Sequence, residues 1–303
     1  FYLMPHPSNS LIEIFDRSSS QIENLFLSAQ NFSSASQASA YVGRSIALLF
    51  FEPSTRTKLS FQIAAGRLGL QSLLIDGSEG TSLVKGESIE DTVLNVAAML
   101  PELIVIRCGQ DFDLTQLKSK LNLPLINAGW GASGHPTQAL LDVLTLKANG
   151  RSISQEKILI VGDVKHSRVA HSHFQLAKVL GYELAICGPA SFAPSEFSGR
   201  SFDNLADGMK WASTVMALRV QRERHSVVHS LESYQRDFGI NRKKLQGWRE
   251  DGLLLHPGPV NYGVELDLDV QRDPRCKILD QVRWGTFLRQ ALLAEIMTER
   301  KIS

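Results

Sequence analysis

The residues best suited to chemistry in this chain stand in "FFEPSTRTKLSF", 50–61, where Ser54, Thr55, Arg56 and Thr57 follow an apolar run and precede helical spacing. The run 46–51 is short and continuously apolar, as expected of a strand buried on both faces. Leu59, Phe61, Ile63, Ala64 and Leu68 then keep a helical spacing, which puts 54–57 at a helix N-terminus. Unpaired backbone N–H groups and the positive end of the helix dipole meet there, and hydroxyls and a guanidinium add donors, so the junction suits an anion. A Ser–Thr pair alone would serve as an ordinary N-cap. Three hydroxyls and an arginine exceed what a cap uses, and these residues leave cap and phosphate cradle both open.

Other chemistry-bearing residues also follow apolar runs. Arg107 ends the third run, and His135 with Gln138 opens "HPTQALLD" after the fourth. In the second half, "GDVKHSRVAHS" brings Arg168 to a helix start, "LRVQRERH" presents Arg219 and Gln221, and "LHPGPVN" turns at Gly258 and Pro259. Each has an ordinary structural explanation alone. The glycine after the 158–161 run invites comparison with a dinucleotide site, but no GxGxxG follows it, and NAD or FAD binding is set aside.

Elements that could position these groups alternate along the chain. Strand-like runs at 46–51, 72–75, 103–107, 125–127, 158–161, 183–187, 214–216 and 253–256 are separated by helical patterns. That order predicts an α/β protein with parallel sheets covered by helices, in which ligands bind beyond the carboxyl ends of strands. A helix over 137–148, a hinge at 150–154 and a fresh strand at 158 put a domain boundary near 150. A closing helix is expected over 281–302, entered around Gly285 and Thr286.

Composition narrows the function classes. A chain of 303 residues, 43% hydrophobic and 21% charged, is ordinary for two globular α/β domains. Lys and Arg (32) nearly balance Asp and Glu (31), so no net field favours nucleic acid or an anionic membrane. Cys108, Cys187 and Cys276 are odd in number and widely spaced, which predicts reduced thiols, no zinc site and a cytoplasmic setting. No segment approaches the ~20 apolar residues of a membrane span, and no signal peptide is evident.

In their order, "FFEPSTRTKLSF", "SLVKGESIEDT", "HPTQALLD", "GDVKHSRVAHS", "LRVQRERH", "LHPGPVN" and "FLRQALL" resemble the aspartate/ornithine carbamoyltransferase family over nearly the whole chain. The ornithine branch would carry a Cys-containing HCLP motif where this chain has His256-Pro257-Gly258-Pro259, and a cationic acceptor needs carboxylates where this half offers arginines. The resemblance therefore implies transfer of the carbamoyl group of carbamoyl phosphate to L-aspartate, an early step of pyrimidine synthesis, with no metal or cofactor. It implies a carbamoyl-phosphate domain over 1–149, an aspartate domain over 150–284, and a final helix over 285–303 packing back on the first domain. Interdomain helices would join the two, with the active site in the cleft.

By the same resemblance, Ser54, Thr55, Arg56 and Thr57 hold the phosphate, and Thr57, Arg107 and His135 converge on the carbamoyl oxygen. Gln138 and the carbonyls of Gly258 and Pro259 orient the carbamoyl NH₂, with the Gly258–Pro259 peptide cis. Arg168 takes one aspartate carboxylate, and Arg219 with Gln221 the other. Ser82 and Lys85 match a loop that completes the neighbouring subunit's site, which implies a homotrimer; a regulatory chain or a dihydroorotase is a possible partner. Two other readings stay open: another amine acceptor, or a catalytically silent partner of a dihydroorotase. Trp130, Trp284 and Val260 depart from the family pattern. The two tryptophans are expected to lie side by side as one packing change. The charged stretch 225–244 fits the mobile aspartate-side loop of bacterial members.

Overall fold

The computed structural model describes residues 9–34, 40–77, 82–220 and 231–302. Contacts divide the chain into two compact units, Phe1–Leu141 with Val282–Ser303, and Asp142–Gln281.

The first unit holds a four-stranded parallel sheet of β1 (Ser45–Phe50), β2 (Gln71–Asp76), β3 (Ile104–Cys108) and β4 (Leu125–Trp130), in the order β2-β1-β3-β4. All but the first residue of β1 are buried, as its unbroken apolar run requires, whereas β2 at the edge is largely exposed. The chain's beginning adds to the other edge: Leu11 bridges Ile126, and its N–H donates to the Leu125 carbonyl at 2.9 Å. Helices α1 (Ser19–Ser34), α2 (Thr55–Arg67), α3 (Ile89–Ala98) and α4 (Leu114–Lys120) accompany this sheet. On α2 the buried face is Thr57, Ser60, Phe61, Ala64 and Ala65, with Leu68 just beyond, a 3.6-residue stripe. Leu59 and Ile63, expected on that face, lie opposite it and are exposed.

Helix α5 (Pro136–Ala148) follows β4, and the division between units falls within it. The turn at Gly150, expected as a hinge, comes directly after its end and has φ +79°.

The second unit is a five-stranded parallel sheet of β5 (Lys157–Val161), β6 (Glu183–Cys187), β7 (Arg200–Phe202), β8 (Thr214–Ala217) and β9 (Leu253–Leu255), ordered β7-β6-β5-β8-β9. Helices α6 (Arg168–Leu180), α7 (Leu205–Trp211), α8 (Leu231–Asp237) and α9 (Arg242–Gln246) are interspersed. Strand β7 was not anticipated: its three residues are polar or half-exposed at the sheet edge and carry no apolar run. The core gathers Leu159, Val161, Val215, Tyr234, Trp248 and Leu254 among others, with Val260 packed against it.

The last helix, α10 (Ile278–Ile302), starts earlier than expected. Gly285 is not its entry; it lies in the second turn, where a Cβ would come within 2.9 Å of Leu141 Cδ2. Glycine here makes room for packing. Within the first unit α10 is tied by Arg17–Glu295 (3.2 Å) and by the Tyr41 hydroxyl, 2.9 Å from that of Thr298. Among the described residues, no helix is long and apolar enough to cross a membrane.

Candidate active site

In the first unit the candidate residues gather where strands end. Ser54 is the N-cap of α2, extended at φ −162°, ψ 104°, and its side chain makes no capping hydrogen bond. A cap's usual task therefore does not occupy the hydroxyl. Thr55 and Arg56 are exposed in the first turn, and Thr57 is buried against the sheet. No acidic residue stands in that turn, although helix N-termini favour one. Partial desolvation lowers the pKa of the Arg56 guanidinium.

Arg107 is brought beside this turn by register. It pairs with Phe50 across β1 and β3, and its carbonyl accepts the Phe51 N–H at 2.9 Å. Its guanidinium lies 3.6 Å from Glu52 and 3.4 Å from the Ala128 carbonyl, touching the segments after β1 and at the end of β4. Glu52 was missed as a member of this group; "FFEPSTRT" contains it, but nothing in the sequence says that it faces Arg107.

Past β4 the chain makes a tight loop in which the Trp130 N–H donates to the Gly134 carbonyl at 2.9 Å, delivering buried His135 to the start of α5. Gln138 is buried in the first turn, and its N–H donates to the His135 carbonyl at 3.0 Å. Arg289 of α10 supports this turn from behind, donating to Thr137 Oγ1 at 3.4 Å and lying 5.2 Å from the Phe61 ring centroid.

The expected pairing of Trp130 with Trp284 does not occur. Trp130 packs on the first core, its indole N–H buried without a hydrogen-bond partner among the described residues. Trp284 meets Phe287 at 5.9 Å, because α10 is already in its second turn at that point. Ser82 and Lys85 bound a short 3-10 turn, in which Lys85 is exposed.

The second unit repeats the placement on neighbouring strands β5, β8 and β9. After β5, Gly162 adopts φ +124°, where a Cβ would stand 3.3 Å from Leu218, so this glycine serves a close backbone crossing. Arg168 is the first residue of α6, capped by Ser167, which accepts from the Ala170 N–H at 3.2 Å. Arg219 follows β8; Gln221, with 225–230 of the expected loop, lies outside the described residues. After β9 comes the turn His256-Pro257-Gly258-Pro259, whose Gly258–Pro259 peptide is cis, as expected. Gly258 there has φ +69°.

A buried polar chain backs this edge. Tyr182 and Asp142 flank His173, the Tyr182 hydroxyl 2.8 Å from Nδ1 and Asp142 Oδ2 3.2 Å from Nε2. The Tyr182 O–H has two acceptors within reach, His173 Nδ1 and the His173 carbonyl at 3.1 Å, and a proton on Nε2 donates to the Asp142 carboxylate. Burial, with Asp142 nearby, raises the Tyr182 pKa well above its ordinary value, so that donor is kept. Asp142 Oδ1 also accepts from the Gln281 amide at 2.7 Å, and Gln281 Oε1 accepts the His256 N–H at 2.9 Å. A separate depression of about 700 Å³, lined by Arg242, Asp269, Arg272 and Asp273 among others, includes none of the candidate residues.

Two family models match in chain order: the carbamoyl-P binding domain of aspartate/ornithine carbamoyltransferases over 9–148, and their Asp/Orn binding domain over 154–296. The chain belongs to the aspartate/ornithine carbamoyltransferase family. It is accordingly an enzyme of the transferase class. It is 40% identical over 296 residues to an aspartate carbamoyltransferase catalytic subunit of Aliarcobacter butzleri, covering 96% of this chain and 99% of that one. A catalytic subunit of the same description from Xanthomonas campestris is also 40% identical, over 303 residues, covering 96% and 93%. Among solved structures, the aspartate transcarbamoylase of Trypanosoma cruzi in complex with carbamoyl aspartate and phosphate superposes with a TM-score of 0.84 at 27% identity, covering 94% of each chain.

Proposed function

We propose that this family member transfers the carbamoyl group of carbamoyl phosphate to the amine of L-aspartate, giving N-carbamoyl-L-aspartate and phosphate on the route to pyrimidine nucleotides. The observation that carries the choice of acceptor is the pair Arg168 and Arg219, at the carboxyl ends of β5 and β8 in the region matched by the Asp/Orn binding domain. Planar guanidinium forks match the two carboxylates of aspartate and repel a cationic acceptor. Gln221 would join Arg219 on the second carboxylate.

Carbamoyl phosphate carries its own leaving group, so the reaction calls chiefly for positioning and charge stabilisation. Ser54, Thr55, Arg56 and Thr57 hold the phosphate on the α2 N-terminus. Thr57, Arg107 and His135 donate to the carbamoyl oxygen as negative charge grows there, which polarises the carbon for the incoming amine. Gln138 and the carbonyls of Gly258 and Pro259 accept from the carbamoyl NH₂ and fix its plane. The amine attacks the carbon, the bond to phosphate oxygen breaks, and the departing phosphate takes the ammonium proton. Ser82 and Lys85 act on the neighbouring subunit's site, making the working enzyme a homotrimer. Free cysteines, two of them buried, suit a reducing cytoplasmic setting.

Carbamoyl product and phosphate release, followed with aspartate, ornithine, putrescine and N-acetylornithine as acceptors, test the assignment. Turnover with aspartate alone is expected. Preference for another amine would reassign the acceptor, and silence with all four would make the chain a non-catalytic partner.

A further inference from the structure

The loop after β8 and the turn after β9 are clamped to each other by side chains that take no part in the chemistry above. His256 is buried, and its Nδ1 lies 2.8 Å from the Gly258 N–H. A backbone N–H can only donate, so Nδ1 is the acceptor and the ring proton sits on Nε2. That proton points at Glu265 Oε1, 3.3 Å away. Glu265 is also buried, and Oε1 accepts the Asn261 N–H at 2.6 Å while Oε2 faces the Val220 N–H at a long 3.5 Å. Asn261 closes the circuit, its side-chain amide donating to the Val220 carbonyl at 3.0 Å. Both backbone groups of Val220 are thus engaged, and Val220 stands between Arg219 and Gln221.

We propose that Asn261 and Glu265 are positioning residues for the acceptor substrate: by gripping the Val220 peptide they aim the Arg219 guanidinium, while His256 joins that grip to the Gly258–Pro259 turn. This rests on the reading of Arg219 as an aspartate ligand. A buried carboxylate receiving several N–H donors is rigid, and rigidity suits a group that must present a fork to a planar carboxylate. Asn261 is half-buried, so its truncation removes the grip without opening the core.

The test uses the full chain and steady-state kinetics with both substrates varied. Asn261→Ala should raise the aspartate KM between about three- and about tenfold, the range for one lost hydrogen bond, with the carbamoyl phosphate KM within about twofold of wild type. Glu265→Gln presents an NH₂ to one of its N–H neighbours and should raise the aspartate KM further. Adding Asn261→Ala to Arg219→Lys should change little beyond Arg219→Lys alone, since both act through one guanidinium. Trp248→Phe, which removes the bond from its indole to the Ala212 carbonyl in the same unit, should lower thermal stability and leave both KM values in place. An unchanged aspartate KM in Asn261→Ala, parallel changes in both KM values, or additivity with Arg219→Lys would overturn the proposal. Failure of Glu265→Gln to fold leaves Asn261→Ala to decide. Wild-type enzyme inactive toward aspartate would instead overturn the functional reading itself.

Discussion

The two sheet edges are assembled by different means. In the first unit the proposed phosphate site is one contiguous segment, Ser54 to Thr57, which brings its own helix N-terminus; register against β3 then adds Arg107. In the second unit Arg168, Arg219 and Gly258 come from three separated segments, and buried side chains hold the turn after β9: Tyr182, His173, Asp142, Gln281, His256 and Glu265. A phosphate site can be local because backbone N–H groups and a dipole do most of the binding. A site for an amino acid has to fix several charged groups at set separations, which one short segment cannot do.

The sharpest way to break this comparison is to disable each edge and ask whether stability or chemistry suffers. Arg56→Ala should have the largest effect, lowering kcat/KM for carbamoyl phosphate about a thousandfold, or about 4 kcal/mol. The melting temperature should barely move, because Arg56 is exposed. A large loss of stability would show that the first edge is not self-sufficient.

Asp142→Ala makes the opposite case. It leaves His173 Nε2 and the Gln281 amide without their carboxylate, and should destabilise the chain by about 3 kcal/mol in urea unfolding. A cost below about 1 kcal/mol would mean that the second edge does not depend on the buried chain.

Arg219→Lys comes next. A point-charge ammonium cannot reproduce a bidentate fork, so aspartate affinity should fall about ten- to a hundredfold, equivalent to ~1.5–3 kcal/mol, with carbamoyl phosphate affinity little changed. Equal losses for both substrates would remove Arg219 from the acceptor site.

The smallest effect concerns assembly. If Ser82 and Lys85 complete a neighbouring subunit's site as proposed, Arg56→Ala and Lys85→Ala should each be nearly inactive alone, yet in a mixed trimer one junction joins an intact Arg56 to an intact Lys85. Unfolding the two variants together and refolding them should return about a third of wild-type activity per mixed trimer, with no new contact, only proximity across an interface. Mixed trimers as inactive as their parents would place the whole site within one chain.

Much of this was legible in the residues. The eight apolar runs all became strands; most were apolar enough to be buried whatever packed on them, while β2 forms by edge pairing with β1 and stays largely exposed, and the strand ends followed by Arg56, Arg107, His135, Arg168, Arg219 and Gly258 could be named before any coordinates. Local chemistry also placed Ser54 at a helix cap and Arg168 at a helix start. What only the tertiary structure decided was which residues far apart in sequence meet: Glu52 with Arg107, Asp142 with His173 and Gln281, Glu265 with Val220. Strand β7 forms at an edge without an apolar run, because pairing with β6 supplies the hydrogen bonds that its own residues do not advertise. The early start of α10 and the separation of Trp130 from Trp284 belong to the same class. Hydrophobic periodicity and capping act over a few residues and are written along the chain, whereas side-chain partners across a fold depend on register and packing, which no short stretch of sequence contains.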